Sequence, residues 1–165
     1  MRRKEISSNG DYMNIVLFEP EIPANTGNIS RTCVLTGTSL HLIRPLGFSL
    51  SEKQLKRAGL DYWDMLDLHV YENFEEFRKM NPEARIYAFS SKADIRFDEE
   101  NYPEDAFLLF GRETSGLPEE IRDQADCLVR IPMTADDRCR CLNLSNSAAV
   151  ALYEALRQQG YPGLR

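Results

Sequence analysis

Short apolar runs alternate with stretches of helical spacing along most of the 165 residues. Asn14-Ile15-Val16-Leu17-Phe18 is a run of buried-strand type, stopped by Glu19-Pro20-Glu21-Ile22-Pro23, where two prolines interrupt regular structure. After Asn25-Thr26-Gly27-Asn28 the spacing predicts a helix to about Thr36, with Ile29 and Cys33 on one face and Gly37 ending it. Leu40 to Ile43 reads as a second strand, and Ser51-Glu52-Lys53-Gln54 has the capping-box pattern of a helix that ends at Gly59. Asp67 to Tyr71 is a weaker strand, and Asn73 with Glu76 caps a helix closed by Asn81-Pro82. Arg85 to Phe89 is a fourth strand, and the acidic stretch 94–105 is expected to be loop. Ala106 to Phe110 is the most continuous apolar run, the pattern of a strand at the centre of a sheet. Gly111 to Gly116 turns from it toward a helix begun by Pro118, and Leu128 to Ile131 is the last strand. Ala148, Leu152, Ala155 and Leu156 mark one stripe of a closing helix.

Strands alternating with helices predict an α/β fold, a largely parallel sheet with helices on both faces. Residues 1–13 are expected to be a flexible tail and residues 14–165 a single domain. In such sheets ligands bind beyond the carboxyl ends of the strands. Three polar loops stand there: after Phe18, after Phe110 and after Ile131.

Composition adds limits. With 42% hydrophobic and 28% charged residues the chain can bury a full core. It has no run near the roughly 20 apolar residues of a membrane span. The basic start MRRKEISSNGDY has no apolar segment behind it, so it is not a secretory signal, and the cytoplasm is the expected location. The four cysteines are scattered; the close pair Cys139 and Cys141 is spaced C-x-C, far in sequence from His41 and His69. That is not zinc spacing, and reduced thiols are expected, with Cys33 in the core. The net charge of −6 divides into +3 over residues 1–60, −11 over 61–127 and +2 over 128–165. Both ends are slightly basic, which allows an RNA surface without requiring one.

The loops narrow the chemistry. Gly111-Arg112-Glu113-Thr114-Ser115-Gly116 is neither a dinucleotide fingerprint nor a P-loop, which disfavours nicotinamide and ATP enzymes. It reads either as a tight turn with a surface Glu113 or as a ligand loop whose glycines let backbone approach a bound molecule. Asn143-Leu144-Ser145-Asn146-Ser147 supplies more capping groups than a helix start needs; it is an over-supplied cap or a ligand site at a helix N-terminus. Arg31 by itself is a surface salt-bridge residue or a site residue. Lys53, Lys56 and Arg57 share a helix face, more commonly a solvated face than a phosphate-contacting one. No Ser–His–Asp set, carboxylate pair or metal cluster is visible, and neither histidine lies in the three loops.

Taken together, Asn25-Thr26-Gly27-Asn28-x-x-Arg31, LFGRETSGLP from Leu109 to Pro118, and Ile131-Pro132-Met133 followed by Leu142-Asn143-Leu144-Ser145-Asn146 resemble the three motifs of the SPOUT methyltransferases. With RAGLDYW and YEALRQQGYPG, the chain is similar to the TrmL (YibK-like) branch over nearly all of Asn14–Gly163. That branch comprises tRNA (cytidine/uridine) 2′-O-methyltransferases acting on the anticodon wobble nucleotide, with ribosomal RNA methylation or a non-catalytic binding module as the alternatives. The resemblance implies a C-terminal deep trefoil knot, an exception to the usual rule against threaded chains. It also implies bound S-adenosylmethionine (S-adenosylhomocysteine as product) without a metal, and a homodimer that completes each site across its interface. Carried over by motif position, Phe89, Gly111, Ile131, Met133, Cys141 and Asn146 would hold the cofactor. Arg31 and Asn143 would act at the reacting ribose, with Glu113 and Ser145 organising the pocket; Lys53, Lys56, Arg57 and Arg140 would face RNA. Because a guanidinium stays protonated near neutrality, Arg31 is expected to bind the 2′-oxygen or a neighbouring phosphate and not to act as a base.

The chain departs from the family in one loop. From Ile131 to Asn143 it is two residues longer than the usual run and has Cys141 where Ser is usual. Two registers are open there, one using Arg140-Cys141 and the other Arg138-Cys139.

Overall fold

The computed structural model describes residues 12–51 and 60–165. Its seven strands are β1 (Asn14–Phe18), β2 (Ser39–Ile43), β3 (Leu68–Tyr71), β4 (Ile86–Phe89), β5 (Ile95–Arg96), β6 (Phe107–Phe110) and β7 (Cys127–Arg130). They form one sheet in the order β3-β2-β1-β6-β4-β7-β5 with every pairing parallel. The apolar run ending at Phe110 is indeed the middle strand.

Alternation along the strands explains how both faces are covered. Ile15, Leu17, Leu40, Leu42, Leu108 and Phe110 point to one side. There they meet Ile29 and Cys33 of helix α1 (Pro23–Thr36) and Ala148, Leu152 and Ala155 of helix α4 (Leu144–Gln158). Val16, Phe18, Ile43, Ile86, Ala88 and Leu109 point to the other side. Phe74 and Phe77 of helix α2 (Phe74–Met80) and Ile121 of the short helix α3 (Glu119–Arg122) cover that face. Helix α2 carries the expected cap: the Asn73 side chain accepts from the Glu76 N–H at 2.8 Å. Gly37 closes α1 in the left-handed conformation, φ 67°.

Four expectations change. Helix α1 begins at Pro23, not beyond Asn28; proline fits a first turn, where its missing N–H is no loss. The helix after Pro118 is only four residues long, with Pro118 as its N-cap. The acidic 94–105 stretch contributes β5, whose Ile95 and Arg96 pair with Val129 and Arg130 at the sheet edge. Met13, placed in the tail by sequence, is buried against the core. Tyr12 of the expected tail is exposed, while residues 1–11 and the helix after Ser51 with Lys53, Lys56 and Arg57 lie outside the described residues.

A polar chain runs through the α2 side of the sheet. His41 Nε2 lies 3.0 Å from Asn14 Oδ1, and its Nδ1 lies 2.8 Å from the Tyr71 hydroxyl. The Asn14 amide nitrogen donates to the Tyr12 and Asp105 carbonyls, so its oxygen must accept, and Nε2 of His41 carries the proton. Burial, with His69 stacked at 4.7 Å, pushes the imidazole pKa down to about 3. The unfolded chain therefore takes up a proton near pH 6.5 that the folded chain refuses until about pH 3. Stability from this residue is complete above pH 6.5 and falls by about 1.4 kcal/mol per pH unit as the pH drops through that window. Urea titrations between pH 7 and pH 4 should show the gap between wild type and His41→Phe narrowing toward acid.

Candidate functional site

The loops after β1, β6 and β7 are tied together by side chains. Helix α1 starts with Ile22 as N-cap, a residue without a capping oxygen. Glu113, from the loop after β6, supplies it: its carboxylate accepts from the Glu21 N–H at 2.8 Å, the Ile22 N–H at 3.0 Å and the Asn25 amide at 3.3 Å. A carboxylate there also complements the positive end of the helix. The contact is returned, since Thr114 donates its N–H at 3.2 Å and its hydroxyl at 2.9 Å to Glu21. Arg112 pairs with Glu19, Nε to Oε2 at 2.7 Å, and lies over the Phe18 ring. Glu19 itself adopts a left-handed φ of 48°, a conformation uncommon outside glycine that this ion pair and the Glu19 N–H to Ile43 carbonyl bond hold in place.

The third loop joins through Asn143, the N-cap of α4. Its Nδ2 donates to Asn25 Oδ1 at 3.0 Å, while its Oδ1 accepts from the Ser145 N–H at 2.9 Å, the Asn146 N–H at 3.3 Å and the Ser145 hydroxyl at 2.6 Å. One line of hydrogen bonds thus runs from Glu113 through Asn25 to Asn143. Glu113→Gln would set an amide N–H against a backbone N–H and leave it unpaired, at a cost of about 1–3 kcal/mol. Calorimetry should show melting lowered by roughly 2–4 °C per kcal/mol.

These loops surround a cavity of about 550 Å³. Phe89 and Phe110 stack within its wall, centroids 4.7 Å apart, and Ile131, Met133 and Leu142 add apolar surface. Gly111 stands where a Cβ would meet the Gly116 carbonyl carbon at 2.2 Å, because residues 112 and 116 pair back on each other. Gly116 completes that turn at φ 68°.

Of the residues singled out from sequence, Phe89, Gly111, Glu113, Ile131, Met133, Arg140, Cys141 and Asn143 line the cavity. Arg138 is instead exposed and paired with Asp136 at 2.5 Å, so in the long loop it is the stretch Arg140–Leu144 that borders the cavity. Ser145 and Asn146 are not wall residues; both are held by Asn143. Arg31 is exposed on α1, over the Tyr62 ring at 5.1 Å, and does not line the cavity of its own chain. Sequence reasoning missed Asn25 as the link between loops, Glu21 and Arg112 as their clamps, and Lys92 and Arg122 in the wall. Asn25 and Arg112 stood inside quoted motifs, but nothing in the spacing told a loop-to-loop contact from a surface polar residue.

The parallel α/β fold that carries these loops is shared with known proteins. Residues 12–153 match the profile of the SpoU rRNA methylase family. The chain belongs to the SpoU methylase family. This SpoU methylase is 52% identical over 152 residues to a tRNA (cytidine(34)-2′-O)-methyltransferase of Methylovorus glucosotrophus, covering 91% of this chain and 97% of that protein. A solved structure from work on the 2-OH methylation of C/U34 on tRNA superposes with a TM-score of 0.86 at 45% identity, covering 92% of this chain and 99% of the other. The SpoU methyltransferase AviRb from Streptomyces viridochromogenes, solved with AdoMet, shares the fold at a TM-score of 0.80 and 24% identity, covering 93% of this chain and 63% of that one. This SpoU methylase is thus a methyltransferase by family, with its three polar loops gathered at one rim of the sheet.

Proposed function

We propose that this SpoU methylase transfers a methyl group from S-adenosylmethionine to the ribose 2′-oxygen of the wobble nucleotide, position 34, of tRNA. The acceptor is cytidine or a modified uridine, with leucine tRNAs as the expected substrates. The observation that carries this is identity of about half the residues over nearly the full length of both chains with a tRNA (cytidine(34)-2′-O)-methyltransferase.

The cavity fits the cofactor. Its volume is in the usual range for ligand sites, its wall offers the Phe89–Phe110 pair and Ile131 to a purine, and the 111–116 turn presents backbone with no side chain at Gly111. Phe89, Gly111, Ile131, Met133 and Cys141 would hold it there, Asn146 acting through the loop and not by contact. Bound in that position, S-adenosylmethionine supplies an electrophilic methyl group on a sulfonium. The chain's part is to align and polarise the acceptor oxygen. Asn143 uses its oxygen and one amide hydrogen to fix the loops, leaving its second amide hydrogen without a partner among the described residues and open to the ribose. Glu113 has both oxygens engaged with α1 and serves by holding that helix, as Ser145 serves by fixing Asn143.

Arg31 reaches the reaction from the second subunit of a homodimer. Its exposure away from its own cavity supports this, as does apolar exposure beside it: Leu35 on α1 is 54% exposed, and Val150 and Tyr153 on α4 are 42% and 46% exposed. We also infer the deep C-terminal knot. From α3 on one face the chain forms β7, then crosses through 131–143 to α4 on the opposite face, with β6 lying between β1 and β4. The reaction takes place in the cytoplasm, where tRNA is found.

Separate incubations with methyl-tritiated S-adenosylmethionine and either bulk tRNA or ribosomal RNA, followed by nucleotide mapping, test the assignment. Label on the 2′-oxygen of nucleotide 34 is expected. Label only on ribosomal RNA would favour the substrate named in the family's description, and no label on either would leave a binding module.

A further inference from the structure

Among the described residues five arginines are matched to acids, four of them away from the cavity. Arg44 pairs with Glu72, Arg96 with Asp98 and Glu99, Arg138 with Asp136 and Arg157 with Glu154. Among the described cations of the cavity wall only Arg112 is matched, to Glu19. Lys92, Arg122 and Arg140 also line it, and none has a carboxylate within ion-pair distance among the described residues. The one acid among the described wall residues, Glu113, has its oxygens occupied by backbone and amide donors of the α1 start. Three cations without counter-ions therefore edge one cavity in a chain of net charge −6.

Their positions are fixed by the fold. Lys92 follows β4 by three residues, in a turn held by the Ala93 N–H to Ser90 carbonyl bond at 3.2 Å, and is exposed at the rim. Arg122 is half-buried, its backbone N–H bonded to the Pro118 carbonyl at 3.0 Å and its neighbour Ile121 anchored in the core. A half-buried guanidinium left without an acid gives up hydration with no return inside the protein, which points to an anion brought by the ligand. A single carboxylate on a cofactor needs one such group; three spread from β4 to the 131–143 loop suit the spaced charges of a nucleic-acid backbone.

We propose that Lys92 and Arg122, with Arg140, bind backbone phosphates of the acceptor RNA flanking the reacting nucleotide. This rests on the methyl-transfer site proposed above. It gives an acidic protein a local cationic track that leads the strand into the cavity, and the contacts are independent of base identity.

Lys92→Gln, Arg122→Gln and the double variant test it, with tRNA affinity measured from 50 to 200 mM salt and S-adenosylhomocysteine affinity measured alongside. Each single variant should weaken tRNA binding several-fold at low salt and reduce the slope of log K against log salt by about 0.7–1, the double variant by twice that. S-adenosylhomocysteine affinity should stay within about twofold of wild type, which also shows that the variants are folded. An unchanged salt slope overturns the proposal. So does a tenfold loss of S-adenosylhomocysteine affinity with tRNA binding intact, which would assign Arg122 to the carboxylate of the cofactor. If the wild-type protein itself bound no tRNA, it is the substrate assignment that fails, a result separate from either of these.

Discussion

Arg31→Ala is expected to abolish methyl transfer, a loss of roughly 100-fold or more, while S-adenosylhomocysteine affinity stays within about twofold. The two readouts separate because the cavity of each chain is built without Arg31, which is exposed and rests on Tyr62. In the proposed mechanism its loss takes away the positive group meant to face the acceptor oxygen or its phosphate, and it leaves the cavity walls in place. Lysine at this position keeps the charge but not the planar fork, so Arg31→Lys should recover only part of the rate. If the proposed homodimer builds each site from both chains, mixing Arg31→Ala subunits with subunits defective in the cofactor loop should restore activity in the hybrids, since one intact composite site would form. Full activity of Arg31→Ala would remove this residue from the mechanism.

Gly111→Ala has the largest expected effect on the site itself. The new Cβ would lie 2.2 Å from the Gly116 carbonyl carbon and 2.3 Å from the Leu117 nitrogen, both backbone atoms that cannot rotate away. The pairing of Arg112 with Gly116 must open, which moves Glu113 and releases the start of α1. Overpacking of this kind costs about 1–3 kcal/mol, and S-adenosylhomocysteine binding should be lost with it. Gly37→Ala is the control. That glycine has a φ of 67° but open space around it, so the substitution costs only the conformational strain, roughly 1 kcal/mol, and cofactor affinity should be retained. Calorimetry and ligand titration on the two variants give a direct comparison.

The pattern of apolar residues located the sheet well because strands buried on both faces leave continuous runs, as Asn14–Phe18 and Ala106–Phe110 do. It misplaced the start of α1 because prolines at 20 and 23 look like breakers from the sequence side, whereas a proline in a helix's first turn is favoured. It could not find β5, two residues long and carrying a charged side chain, since only pairing to β7 makes that segment a strand. The site was legible as three polar loops at strand ends. The partners inside it were not. Glu113 caps a helix that begins 90 residues before it in the chain, a contact that local spacing cannot encode. Likewise, Asn143 was readable as a cap for α4, but its bond to Asn25, 118 residues away, belongs to the fold. Arg31 shows the limit from the other side: a motif quoted it, yet a single chain does not bring it to the cavity.

The structure of the protein in complex with S-adenosylhomocysteine is the most direct test. The sulfur should lie inside the cavity framed by residues 89–92, 111–117 and 131–144, with the Arg31 guanidinium of a second subunit facing it across the dimer interface. A complex in which the ligand binds elsewhere, or in which no neighbouring subunit brings Arg31 to that cavity, would contradict it.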